Sequence, residues 1–215
     1  MKRKIISITL IIAGLLVLAY PKASEIYNNR QQKRIMMEWQ ESLAIIDYGH
    51  KEDETGDSTE DPIEKEIDTS EEKENNKEKE YIEKNTDGIL KIDKINLEQP
   101  ILKGATQKNM DISVASMDHT GKAGEFGNYV IAGHRNYTYG RNFNRLDEVE
   151  VGDTIEVDTG KDQYKYIVEE KLYVKPQETW VLNSDNKSKE ITLITCHPMV
   201  NATHRLIIKG KIKDN

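Results

Sequence analysis

From Gly88 onward, short apolar runs rich in β-branched residues alternate with turn signals. Ile89–Ile92, Leu97–Leu102, Asn128–Ala132, Thr154–Asp158, Tyr164–Val174, Ile191–Cys196 and Arg205–Ile212 each read as a strand, because such residues fit a pleated, half-buried surface. Pro100 interrupts the second run, and Glu169-Glu170 marks a bulge in the fifth. Val151-Gly152-Asp153 is a turn, and Asn142–Leu146 reads as a single helical turn. Seven or eight short strands in the 128 residues from 88 to 215 predict a mostly β domain, a barrel or a sandwich.

The first half of the chain has a different pattern. Ile5 to Tyr20 carries no charge. Its sixteen residues span about 24 Å as a helix, a little short of a ~30 Å hydrocarbon core. Flanking lysines can snorkel to make up the difference. Lys2-Arg3-Lys4 precedes the run, which predicts a single-pass anchor with a cytoplasmic N-terminus and everything after it outside. A cleaved signal peptide shares the basic start and apolar run, but no A-x-A-like cut site follows. The expected organisation is a cytoplasmic tip and transmembrane anchor over 1–21, a stalk helix over 22–50, an acidic linker over 51–87 and a folded domain over 88–215. The stalk assignment rests on Ile35, Met36, Trp39, Leu43 and Ile46, which fall near helical spacing.

Charge sharpens that division. Residues 51–87 hold sixteen acids and six lysines, a net −10. The whole chain carries −7, so the remainder carries +3. The acidity belongs to the linker, which cannot bury enough apolar surface to offset its ordering entropy and is expected to be a disordered, self-repelling tether. Neither the acidic total nor any motif supports a nucleic-acid partner. One cysteine excludes an internal disulfide framework and a Cys-rich zinc site. No GxGxxG or Walker loop is present.

That cysteine is the first candidate for chemistry. Cys196 ends an apolar strand and precedes His197-Pro198. A lone cysteine in such a run can be a small hydrophobe. As a nucleophile it needs a cationic neighbour, and His134, His197 and Arg205 are available. His134 follows a buried strand in IAGHR, at the kind of strand exit where functional side chains often sit. His197 adjoins Cys196, so it should face the other way. Arg205 begins a strand nine residues after Cys196, which fits two neighbouring strands joined by a loop. His204 should then face away from Arg205, and His119 reads as surface.

Here the sequence resembles a known family. Thr192-Leu193-Ile194-Thr195-Cys196 is similar to the TLxTC signature of sortases, the cysteine transpeptidases of Gram-positive surfaces. The family's histidine falls in Gly133-His134-Arg135 and its arginine in Thr203-His204-Arg205-Leu206. GEFGN at 124–128 also looks like family members. The order His, Cys, Arg agrees, whereas papain-like peptidases place Cys before His. Cys phosphatases hold Cys and Arg closer together on one glycine-containing loop. The N-terminal anchor, with no second apolar run after Arg205, resembles class A or class D.

The resemblance implies a closed sortase-type β-barrel of seven to eight strands with short helices. It implies Cys196 as nucleophile, His134 as proton donor and acceptor, and Arg205 as oxyanion stabiliser. It further implies surface proteins with an LPXTG-like sorting signal as substrates and a cell-wall precursor amine as acceptor. The groove is expected between the Lys171–Glu190 segment and the residues after His134. No cofactor is expected. Glu169, Glu170 and Glu178 lie where some members bind calcium, but calcium is not predicted here. The alternative is a membrane-tethered β-domain that only binds a partner.

Overall fold

The computed structural model describes residues 2–49, 82, 84–135, 138 and 141–213. Most of the acidic linker, where disorder is expected, lies outside the described residues, as do the side chains of Leu43 and Ile46.

The apolar run and the stalk form one helix, α1, Lys2–Gly49, with Pro21 inside it. Leu10, Leu15, Leu16, Val17 and Leu18 are all exposed. Within Ile8–Glu41 an 18-residue window has mean hydropathy 1.4, and none of it is buried in the protein. By length and composition this helix can cross a membrane. Farther along, Ile35 and Trp39, four residues apart on one face, are buried. Ile35 packs with Ile82, Leu102, Ala115, Met110 and Ile112.

Eight strands follow: β1 Thr86–Ile92, β2 Leu97–Lys103, β3 Val114–Ser116, β4 Gly127–Ala132, β5 Thr154–Asp158, β6 Gln163–Val174, β7 Lys189–His197 and β8 His204–Lys211. They close as β1-β2-β3-β4-β7-β8-β6-β5, with β5 pairing back onto β1. Closure decides between the barrel and the sandwich and leaves no free sheet edge. β2 with β3 and β4 with β7 are parallel. A parallel pair needs a crossover, and a short helix, α2, Gln107–Ile112, supplies it between β2 and β3.

Alternation sorts the side chains. Ile191 and Leu193 of β7 and Leu206 and Ile208 of β8 point inward, joining Leu90, Ile131, Phe143 and Tyr166. Burying each such chain contributes about 1.5–3 kcal/mol. Ile194 and Ile207 point outward and pack with Val174, Val181, Leu172 and Leu182. The outward cluster is capped by a 3-10 turn, Thr179–Leu182, in the β6–β7 connection.

Two interruptions have local causes. Pro100 sits inside β2, where its carbonyl accepts from Ser113 Oγ at 2.6 Å. Its main-chain polar edge thus faces away from β1, and the missing N–H costs that ladder nothing. In β6 the register shifts between Val168 and Glu170, the expected bulge.

The helical turn expected at Asn142–Leu146 is displaced. Asn142 bridges to Arg135, and the 3-10 turn is Leu146–Glu148. Phe143 and Leu146 are both fully buried, so packing of these two residues sets the position of the turn.

Candidate active site

The register of three strands brings the candidate residues together. β4 and β7 run parallel, with Ala132 level with Ile194. Gly133 N–H donates to the Ile194 carbonyl at 3.1 Å, and Thr195 Oγ1 donates to the Gly133 carbonyl at 2.8 Å. These bonds carry the register past the strand end, so His134 comes level with Cys196. On its other side Cys196 is the direct partner of Arg205, and Arg205 is the partner of Val174. Level positions share a face. That face is the outer one, because Ile194 and Ile207, partners two residues away, pack outside the barrel. His134, Cys196 and Arg205 therefore form one row on the barrel's outer surface. Cys196 is free and half-buried.

His134 is held by its neighbours. Its carbonyl accepts from Phe143 N–H at 3.1 Å. A Cβ at Gly133 would lie 2.7 Å from the Phe143 ring, so only glycine lets that ring close beneath the histidine. The next residue, Arg135, bonds Asp147 at 2.6 Å and reaches His197 Nδ1 at 2.6 Å. On the solvent side His134 Nε2 lies 3.1 Å from Gln107 Nε2 and 3.4 Å from Asp111 Oδ1, both on α2.

Arg205 is half-buried, with Nη1 donating to the His204 carbonyl at 3.1 Å. The apolar outer cluster lies beside the row. The cap over it is fixed by Asn128, whose amide donates to the carbonyls of Val181 and Leu182 at 3.3 and 3.0 Å. Thr192 Oγ1 in turn donates to Asn128 Oδ1 at 2.7 Å. Trp180 stands on that cap, 51% exposed.

The other histidines among the described residues fall elsewhere. His197 faces the opposite way from Cys196, with its ring 4.5 Å from Tyr173. Burial, then the nearby Arg135 guanidinium, holds its imidazole below the ordinary value; Asp147 opposes this. His204 is the partner of His197 and shares that face. His119 is exposed in the turn after β3, at the far end of β4 from His134. Among the described residues no group of three or more His, Cys, Asp or Glu side chains could hold a metal ion.

Gln107 and Asp111 are the neighbours sequence reasoning missed. Their four-residue spacing places them on one helical face, but QKNMDI has no apolar stripe to mark it as a helix.

Residues 90–213 match the sortase domain family. Sortase A of Bacillus anthracis is 31% identical over 125 residues, covering 58% of this chain and 59% of that protein. Sortase D of Bacillus subtilis (strain 168) is 31% identical over 127 residues, covering 58% of this chain and 62% of that protein. The chain thus spans about three fifths of the length of these two relatives. Among solved structures, the sortase D5 transpeptidase of Clostridium perfringens has a TM-score of 0.56 at 31% identity, covering 68% of this chain and 89% of that one. The family match enters within β1 and runs past the end of β8, taking in the whole row of His134, Cys196 and Arg205, and on that ground this chain belongs to the sortase family.

Proposed function

We propose that the chain is a membrane-anchored cysteine transpeptidase. It cleaves an LPXTG-like sorting signal in a surface protein and passes the acyl group to a cell-wall precursor amine. The observation that carries this reading is the direct pairing of Cys196 with Arg205, with His134 two residues beyond Ala132, the partner of Ile194, on the neighbouring strand.

The roles follow from the chemistry. The deprotonated sulfur of Cys196 attacks the scissile carbonyl and forms a C–S bond. Arg205, the opposed partner, stabilises the negative charge on the tetrahedral oxygen. The C–N bond then breaks, and protonated His134 gives its proton to the departing amine. A thioester remains on Cys196. The acceptor amine attacks it, neutral His134 takes the amine proton, and the thiolate leaves. Leu172, Leu182 and Ile194, the partly exposed members of the outer cluster beside the row, offer apolar contact for side chains of the signal next to the Thr179–Leu182 cap.

Lys2-Arg3-Lys4 orients α1 with its N-terminus in the cytoplasm and the barrel outside. Sharing a membrane with its substrates raises their effective concentration.

Intact-mass spectrometry of the full chain, incubated with a panel of sorting-signal peptides, tests the reading. A Cys196-linked acyl adduct is expected, with release of the C-terminal peptide, and Cys196→Ala should form none. Absence of an adduct with every peptide would overturn the reading in favour of a binding module.

A further inference from the structure

We propose that Asp111 and Gln107 form a positioning pair that decides which ring nitrogen of His134 carries the proton. This rests on the acid-base role of His134 given above. Both side chains converge on one atom: His134 Nε2 is 3.4 Å from Asp111 Oδ1 and 3.1 Å from Gln107 Nε2. Gln107 Nε2 also donates to Asp111 Oδ1 at 2.9 Å, which fixes the amide with its donor toward the imidazole.

The histidine nitrogen therefore faces one acceptor and one donor. When Nε2 carries a hydrogen, the Asp111 carboxylate accepts it. When Nε2 is bare, the Gln107 amide donates to it. Either way this nitrogen is engaged by α2, and Nδ1 is left to exchange protons with the reacting sulfur and amines. The carboxylate favours the Nε2–H form, so neutral His134 presents a lone pair at Nδ1, as a base must.

The pair is held in place from both ends. Thr106 Oγ1 caps the start of α2, accepting from Asn109 N–H at 3.2 Å. At the other end, Asn142 Nδ2 donates to the Met110 carbonyl and Arg141 Nη2 to the Asp111 carbonyl, at 3.1 and 2.7 Å. These donors come from the same connection that carries His134, so helix and histidine are locked to each other. Other charged or ionisable groups on the elements that meet here are Arg135 and Arg141 of the same connection, Lys108 of α2, Cys196 of β7, Arg205 of β8, and Glu25 of α1, which faces Arg141.

The test uses the full chain labelled with ring-15N histidine. In the wild type the ring-nitrogen spectra should show His134 as the Nε2–H tautomer when neutral. Asp111→Asn should shift the population toward Nδ1–H and lower kcat about tenfold, with KM within about twofold. The loss is far below that of a buried triad carboxylate, because the Asp111 side chain is 47% exposed and solvent screens it. Adding Gln107→Glu to Asp111→Asn returns a carboxylate to the same helical face and should restore most of the rate. An unchanged tautomer in Asp111→Asn, or no recovery in the double variant, would overturn the proposal. A wild-type chain that forms no acyl adduct would instead overturn the transpeptidase reading, and the spectra would still decide the tautomer.

Discussion

Cys196 and Arg205 oppose each other directly across β7 and β8, while the Arg205 guanidinium rests on the carbonyl of its own neighbour, His204, at 3.1 Å. The guanidinium thus lies beside the sulfur's row with one of its five N–H donors tied to main chain. Arg205→Ala should lower kcat by about 100- to 1000-fold, the cost of losing one strong oxyanion donor. Arg205→Lys should recover only part, because a point charge lacks the planar fork. Single-turnover acylation measures both, and alkylation of Cys196 by iodoacetamide checks that the sulfur stays reachable.

Gly133→Ala should destabilise the barrel beneath the histidine. The new methyl would meet the Phe143 ring at 2.7 Å and Val114 at 3.0 Å. Phe143 is fully buried and has nowhere to go. A loss of about 1–3 kcal/mol is expected from such overpacking, read as a lower Tm, together with reduced turnover because His134 is the next residue.

Asn128→Ala should loosen the cap over the outer cluster. It leaves the Val181 and Leu182 carbonyls without that donor and Thr192 without its acceptor. The cost is about 1–3 kcal/mol for a buried network broken on one side. Peptide KM should rise more than kcat falls, since the cap lies beside the row and holds no member of it.

His197 makes stability depend on pH. Burial and Arg135 hold its imidazole below the ordinary 6.5. As pH falls through 6.5 the unfolded chain takes this proton first, so stability drops until the folded value is reached. Arg135, Asp147, Tyr173 and His204 face this ring. His197→Gln should flatten the fall in Tm as pH drops below 6.5, which thermal melts taken across the acid side of neutrality would show.

The strands that build the site were legible because each alternates visibly. Ile191–Cys196 shows inward Ile191 and Leu193 and outward Ile194 in sequence order. The nine-residue gap to Arg205 then fixed a neighbouring strand. β3 was missed because three residues carry too little pattern. α2 was missed because it is a single short run whose C-terminal carbonyls are held by Arg141 and Asn142, groups that meet it only in the fold. The turn at Leu146–Glu148 was placed early because local composition does not show which of Phe143 and Leu146 the interior draws in. The contact of Asp111 with His134 spans twenty-three residues and leaves no periodic trace.

Glu25 of α1 accepts a hydrogen bond from Thr138 Oγ1 at 2.8 Å, four residues after His134. Glu25 lies five positions after Tyr20, about 7.5 Å along the helix axis. The chain enters the acidic linker only after α1 has already met the barrel. If Tyr20 marks the lipid boundary, the docked helix acts as a ruler. The standoff of the reacting sulfur from the bilayer is then built in, and lengthening or shortening the linker would leave it unchanged.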